Sequence, residues 1–214
     1  MIFFDMDGTL IDSNGAWVQV DRDFLGKRAL VATPEYEQVV GHAIFPVAAQ
    51  FTKDYYHLPD SPEDIMAEWM SLAGEAYAHT IPLKEGAREL LDHIRAQGYP
   101  MALLTSCVPA LAHLALKRLD LEQYFQGLFF AQDVNMSKRD RAIYPLAAER
   151  LGAFVEDCVL LEDAPDNCLA AREAGFTVVG VYDDFYASRW AEVQANSHRA
   201  VHSLRELVPS PYQP

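Results

Sequence analysis

The first twelve residues, Met1–Asp12, read MIFFDMDGTLID, and they place two carboxylates, Asp5 and Asp7, directly after a short apolar run. The continuous apolar run Ile2–Phe4 is typical of a buried strand in a parallel sheet. Two carboxylates this close repel each other, and each is more stable in water than in a protein interior. The arrangement is stable only if a cation lies beside the pair or if one carboxyl keeps its proton. Both possibilities indicate a chemical role.

The remainder of the chain divides into a helical stretch and a stretch in which helices and strands alternate. Residues 12–80 carry no strong strand signal and predict three helices, at Ala16–Leu30, Glu35–Phe51 and Pro62–Ala78. From Glu85 onward, helical patterns separate the strand-like segments YPMALLTS, GLFFA, CVLLED and FTVVGVY, and the chain ends with a weak strand, RAV, and a helix, SLRELV. Repeated strand–helix units predict a parallel sheet with helices on both faces. We therefore expect an α/β protein with a Rossmann-like, doubly wound core (residues 1–11 and 81–214) and a helical insertion (residues 12–80).

Composition excludes several classes of protein. The chain has 214 residues, half of them apolar, which predicts one packed domain with a smaller insertion. Its net charge of −14 argues against partners such as nucleic acid or an anionic membrane. The three cysteines are odd in number and lack metal-site spacing, so we expect reduced thiols. No signal peptide or membrane-spanning run is evident, and a cytoplasmic monomer is expected.

Three of the predicted strands end in polar residues, and a fourth leads through a loop to a lysine near the start of the next helix. In doubly wound sheets, ligands bind beyond the carboxyl ends of the strands, where the strand order reverses. The sequence places two acid pairs, a hydroxyl pair and a lysine there: Asp5, Asp7, Thr105, Ser106, Lys138, Glu162 and Asp163. We expect these side chains to converge on one site.

The same segments resemble the motifs of a known family. DMDGTL resembles the first motif of the haloacid dehalogenase superfamily, LLTS the second, Lys138 the third and EDAPDNCLAAREAG the fourth. The resemblance covers the whole chain and implies that residues 12–80 form a helical cap inserted between the first two motifs. The chain departs from the pattern at Arg139, where proline is common, and at Ala164 and Asn167, where serine and glycine are frequent. None of these changes removes an expected ligand.

The resemblance implies a magnesium-dependent phosphatase that hydrolyses a small phosphorylated metabolite under a closing cap. Asp5 would be the nucleophile that forms an aspartyl-phosphate, and Asp7 would donate and then accept a proton. Thr105, Ser106 and Lys138 would bind the phosphate, although Arg139 competes for the role of the lysine.

Mg²⁺ would be bound by carboxylate and carbonyl oxygens, which this hard ion prefers. The resemblance assigns it the Asp5 carboxylate, the Asp7 backbone carbonyl and Asp163, while Glu162 either ligates directly or holds a bound water. In the cap, Gly41 and His42 align with a segment that contacts substrate in related phosphatases, with a structural role for His42 as the alternative.

Three other functions remain open at this point. A sugar phosphomutase of the same superfamily would carry a histidine early in the cap, where this chain has Trp17. Dehalogenases of the superfamily lack the second aspartate that Asp7 provides. A catalytically idle small-molecule sensor would bind Mg²⁺ and phosphate but would liberate no inorganic phosphate from a phosphorylated compound.

Overall fold

The computed structural model describes residues 1–40, 43 and 45–209, and it divides the chain into two compact units. The first, here called the core unit, contains Met1–Asn14 and the chain from Ile81 onward. The second, here called the helical unit, contains Gly15–Thr80. Among the described residues, no helix is both long enough and apolar enough to cross a membrane.

The described part of the core unit contains a six-stranded, fully parallel sheet in the order β3-β2-β1-β4-β5-β6. The strands are β1 (Ile2–Phe4), β2 (Met101–Thr105), β3 (Gly127–Phe130), β4 (Val159–Glu162), β5 (Thr177–Val181) and β6 (Arg199–Val201). The order reverses at β1, since β2 and β3 lie on one side of it and β4 to β6 on the other. This confirms the predicted doubly wound α/β fold.

The register of the central strands explains why the polar side chains meet. Phe4 at the end of β1 lies opposite Leu103 of β2 and Leu161 of β4. The next residues along β1 and β4, Asp5 and Glu162, therefore emerge at the same level of the same edge. The backbone N–H of Asp5 still donates to the carbonyl of Leu161 at 3.0 Å. This is an ordinary length for such a hydrogen bond.

A buried apolar layer supports this edge from one face of the sheet. Side chains alternate between the two faces of a strand, so Phe3, Leu160 and Val178 point the same way and join one buried cluster. Helical residues, among them Tyr144 and Ala171, complete the cluster. Burial of apolar surface at about 25 cal/mol per Å² stabilises this packing.

The helices of the described residues agree broadly with the periodicity of the sequence. They are α1 (Asn14–Gly26), α2 (Pro34–Val40), α3 (Phe45–Tyr56), α4 (Pro62–His79), α5 (Ala87–Ala96), α6 (Pro109–Arg118), α7 (Ile143–Arg150), α8 (Pro165–Glu173) and α9 (Trp190–Asn196). The single helix predicted at Glu35–Phe51 is wrong, because α2 ends at Val40 and α3 begins at Phe45. Pro46 lacks an N–H and suits the first turn of a new helix, not the interior of a long one. The predicted closing helix SLRELV is only a short 3₁₀ turn at Leu204–Leu207.

The helical unit has its own buried centre and a well-defined last helix. Phe24, Tyr36, Ile65 and Trp69 are almost completely buried within it. Helix α4 begins with a capping box, in which the Ser61 side chain accepts from Asp64 N–H and the Asp64 carboxylate accepts from Ser61 N–H.

A half-buried carboxylate in the helical unit, that of Asp21, makes the stability of the folded chain depend on pH. Burial raises the pKa of Asp21 to about 6, although a hydrogen bond from the Tyr36 hydroxyl (3.2 Å) opposes the shift. The folded chain therefore keeps this proton to a higher pH than the unfolded chain, and stability is lost as pH rises from about 4 to about 6.

Asp21→Asn is expected to remove this loss, because the asparagine oxygen can still accept from Tyr36. After allowance for partial exposure, the variant should be about 1–2 kcal/mol more stable than wild type above pH 7, with the gain shrinking towards pH 4. Urea unfolding of the full chain between pH 4.5 and pH 8 measures this. Asp54→Asn, at an exposed position of α3, is the control. A gain that does not change with pH would contradict the assignment.

Candidate active site

The ends of β1 and β4 bring three carboxylates together in the interior. Asp5, Glu162 and Asp163 are all buried, and one carboxylate oxygen from each lies within 4.8 Å of the others. Such a set of oxygen atoms matches the ligands that a hard divalent cation prefers. Buried carboxylates at this spacing need positive charge nearby, which a cation would supply.

Lys138 supplies one positive charge to this cluster. Its ammonium group forms ion pairs with Asp5 and, at 2.6 Å, with Glu162 Oε2. Arg139, the alternative that the sequence left open, lies 3.4 Å from Asp166 instead. The structure therefore places Lys138, and not its neighbour, against the end of β1.

Helices α7 and α8 hold the backbone around Lys138. The hydroxyl of Tyr144 on α7 donates to the carbonyl of Lys138 (2.7 Å) and also lies 3.1 Å from the carbonyl of Asn167 on α8. Tyr144 is fully buried in the apolar cluster, so its ring is fixed by packing while its hydroxyl contacts these two carbonyls. One side chain thus links the segment of Lys138 to the segment that follows Asp163.

Burial and mutual repulsion set the electrostatics of the cluster. Burial, together with the charge of Glu162, raises the pKa of Asp5 to about 7, while Lys138 opposes the shift. Burial and Glu162 also raise the pKa of Asp163 well above its ordinary value. For Lys138, burial alone would lower the pKa, but Asp5 and Glu162 outweigh it and hold the pKa well above the ordinary range. The cluster has more negative than positive charge available and so favours an added cation.

The turn after β1 depends on a glycine. Gly8 has φ of 79°, in the left-handed region that favours glycine. A Cβ at this position would overlap the side chains of Asp163 and Asn14. The hydroxyl of Thr9, the next residue, donates to Asp163 Oδ1 at 3.2 Å.

Asp7 lies beside the cluster but has its own hydrogen-bond donor. Its carboxylate is half-buried and accepts from the Ser13 hydroxyl at 2.6 Å. The carboxylate thus sits outside the group of three acids, which agrees with a role for its side chain that differs from that of Asp5.

The hydroxyl pair lies at the end of β2. Thr105 is buried, and its Oγ1 accepts from the backbone N–H of Cys107 at 2.9 Å, which leaves the hydroxyl proton available to another group. Ser106 is exposed. Gly41 and His42, the two residues predicted to contact substrate, lie outside the described residues.

Sequence reasoning missed three polar residues that reach this site: Asn14, Lys84 and Asp183. The amide of Asn14 donates to both Asp163 and Asp183, and the ammonium group of Lys84 pairs with Asp183. Asp183 follows closely on β5, so the rule that singled out the ends of the other strands could have found it. Nothing local marks Asn14 or Lys84.

Comparison with known proteins relates this geometry to named relatives. Hexitol phosphatase A of Escherichia coli is 30% identical over 207 residues, which cover 96% of this chain and 91% of that protein. The phosphorylated carbohydrates phosphatase of Thermotoga maritima is 29% identical over 184 residues, which cover 81% of each chain.

Among solved structures, CbbY of Rhodobacter sphaeroides, a variant in complex with xylulose 1,5-bisphosphate, superposes with a TM-score of 0.82 at 20% identity. The match covers 96% of this chain and 95% of that one, and at this identity it shows the fold alone. The sequence profile of the haloacid dehalogenase-like hydrolases matches residues 1–175, which is most of the chain. This protein therefore belongs to the family of haloacid dehalogenase-like hydrolases.

Proposed function

We propose that this protein is a magnesium-dependent phosphatase that hydrolyses a small phosphorylated metabolite through an aspartyl-phosphate on Asp5. The observation that carries the proposal is the buried cluster in which Lys138 contacts Asp5 and Glu162 beside Asp163. Relatives named as phosphatases of hexitols and phosphorylated carbohydrates support a sugar or sugar-alcohol phosphate as the substrate class.

In the proposed first step, a carboxylate oxygen of Asp5 attacks phosphorus and the bond from phosphorus to the ester oxygen breaks. The Asp7 carboxyl gives its proton to the departing alkoxide. In the second step a water molecule attacks the phosphorus of the aspartyl-phosphate while Asp7 takes a proton from that water. The bond between phosphorus and the Asp5 oxygen breaks, which returns Asp5 as a carboxylate and releases inorganic phosphate. The hydrogen bond from Ser13 to Asp7 supports a fixed orientation of this proton carrier.

The remaining residues bind and neutralise the phosphate. Lys138 supplies positive charge to the phosphate oxygens and shields the approach of Asp5, which phosphoryl transfer requires. The free proton of the Thr105 hydroxyl and the backbone N–H of Ser106 would donate to other phosphate oxygens.

The cation would be held by the Asp5 carboxylate, the Asp7 carbonyl oxygen and Asp163, a donor set made entirely of oxygen. When bound, Mg²⁺ supplies positive charge that stabilises the transferring phosphoryl group. Both oxygens of Glu162 already accept hydrogen bonds, Oε2 from Lys138 and Oε1 from the N–H of Ala164 at 3.0 Å. The charge of Glu162 is therefore already offset by Lys138, which favours a role through a bound water. The hydrogen bonds to Asp163 come from neutral side chains instead, so its charge stays available to the cation.

Removal of the cation is expected to abolish activity. Phosphate release from a panel of sugar, sugar-alcohol, hydroxy-acid and nucleoside phosphates should depend on Mg²⁺, stop in EDTA and return when Mg²⁺ is added in excess. The ranking of the panel identifies the substrate class. Undiminished release in EDTA would contradict the assigned donor set, and no release from any compound by the folded protein would favour the idle sensor.

A phosphomutase is the second candidate, and only the fold supports it. A β-phosphoglucomutase from Clostridium difficile superposes with a TM-score of 0.75 at 18% identity. The match covers 96% of this chain and 92% of that one. Trp17 occupies the position where a mutase would carry its histidine. Its indole N–H donates to the Tyr77 hydroxyl at 3.0 Å and its ring packs edge-on against Phe45, so it serves the packing of the helical unit. An indole cannot carry the proton that a mutase needs, which favours hydrolysis.

A further inference from the structure

Asp163 is held at both of its oxygens by neighbouring side chains. Thr9 donates to Oδ1 at 3.2 Å, and the Asn14 amide donates to Oδ2 at 3.0 Å. The Asn14 side chain reaches across 149 positions of sequence to do so. A ligand carboxylate fixed at both oxygens has little freedom to rotate, which is how residues around a metal site commonly orient its ligands.

A second carboxylate fixes the orientation of Asn14 itself. The same amide nitrogen donates to Asp183 Oδ1 at 3.0 Å, and an amide NH₂ has two hydrogens, one for each acid. Because both neighbours are carboxylates that accept, the NH₂ group and not the amide oxygen must face them. Asp183 therefore gives the Asn14 amide a second acceptor and helps to turn its donor group towards Asp163.

Asp183 is itself buried, with 3% of its surface exposed, and it lies outside the group of three acids. Its charge is balanced by the ammonium group of Lys84 at 2.7 Å, and its Oδ1 also accepts from the backbone N–H of Phe185 at 3.0 Å. A buried carboxylate without such partners would be strongly unfavourable. Because Lys84 balances the negative charge of Asp183, Asp183 can lie next to Asn14 without adding an unpaired negative charge near Asp163.

The backbone holds both ends of this chain of contacts in place. Asn14 is the last residue of the first segment of the core unit, and Lys84 lies near the start of the second. The two segments are hydrogen-bonded to each other, from Asp12 N–H to Pro82 O and from Lys84 N–H to Leu10 O, each at 2.9 Å.

We propose that Asn14, oriented by Asp183 and Lys84, is a positioning residue that holds the Asp163 carboxylate in place to bind the divalent cation. The inference rests on the cation of the proposed function. It assigns a role to three residues that lie outside the motifs quoted above. It also predicts that Asp183 affects cation affinity only by orienting Asn14.

Binding of Mg²⁺ to the full chain without substrate, measured by calorimetry, tests the proposal. Asn14→Ala is expected to raise the Mg²⁺ dissociation constant about 10- to 100-fold. Asn14→Ser is the second variant if the alanine variant folds poorly. It keeps a residue suited to the start of α1 but cannot reach both acids, so it should also raise the Mg²⁺ dissociation constant. Asp183→Asn should raise the constant in the wild-type background yet change it less than about twofold in the Asn14→Ala background, because the two residues act in series.

Activity supplies a second readout. Excess Mg²⁺ should return kcat of Asn14→Ala towards wild type while the Mg²⁺ concentration for half-maximal rate stays raised. Gln123→Ala, which removes an amide-to-carboxylate hydrogen bond to Asp120 elsewhere in the core unit, should leave Mg²⁺ binding unchanged. A dissociation constant of folded Asn14→Ala within twofold of wild type would overturn this inference alone. Absence of Mg²⁺ binding by the wild-type chain would overturn the proposed cation and this inference with it.

Discussion

Replacement of Asp5 by asparagine is expected to lower the rate of phosphate release by at least about 10⁴-fold, because the amide cannot act as the nucleophile. The fold should survive, since asparagine has nearly the same shape as aspartate. The change also removes one of three crowded acids, and burial disfavours the charged form of that acid. Initial rates of phosphate release, measured with the best substrate of the panel at saturating Mg²⁺, provide the test.

Two controls keep this result interpretable. Asp157→Asn makes the same chemical change at an exposed position and should leave the rate unchanged. Rapid quenching of the wild-type enzyme with ³²P-labelled substrate should trap acid-stable label on the protein, and Asp5→Asn should trap none. A rate for Asp5→Asn within tenfold of wild type would assign the nucleophile to another residue.

Replacement of Lys138 by methionine is expected to cost about 3–5 kcal/mol of unfolding free energy in EDTA, because it leaves buried carboxylates without their cationic partner. Lys138 is 2% exposed and contacts both Asp5 and Glu162, so solvent cannot replace the lost charge. Addition of Mg²⁺ should recover part of the loss, since it returns positive charge to the same acids. Phosphate release should also fall steeply.

Urea unfolding of both proteins, with and without Mg²⁺, measures the change. Lys117→Met, at an exposed position near the end of α6, removes the same charge at the surface and should alter stability by less than about 0.5 kcal/mol. A loss below about 1 kcal/mol for Lys138→Met would mean that the acids are neutral in the metal-free protein and need no counter-charge.

Much of the site was accessible from the sequence because its chemistry follows the ends of strands. Asp5, Thr105 and Glu162 each end or follow a short apolar run, and in a parallel sheet such ends share one edge. The structure confirms the sheet, and the family comparison confirms the membership that the motifs indicated. The individual catalytic roles stay predictions, and the variants of Asp5 and Lys138 described above test two of them.

The sequence alone does not decide between Lys138 and Arg139. Adjacent residues in a loop point in different directions, and which one faces the acids depends on how the loop leaves β3 and enters α7. The hydroxyl of Tyr144 donates to the carbonyl of Lys138 and so anchors the loop at this residue. A hydrogen bond of this kind leaves no periodic signal in the sequence.

Local patterns in the sequence are enough to predict the layout of the core: buried strands from continuous apolar runs, helices from their period, and one edge of the sheet where acids such as Asp5 and Asp163 gather. These features depend on neighbours within a few residues, and local patterns report them well. Which distant side chains touch depends on the tertiary structure. Asn14 meets Asp183 across 169 positions, and Lys84 meets it across 99. Such contacts depend on strand register and loop path, because a side chain can bind only the groups that folding brings within about 3 Å of it.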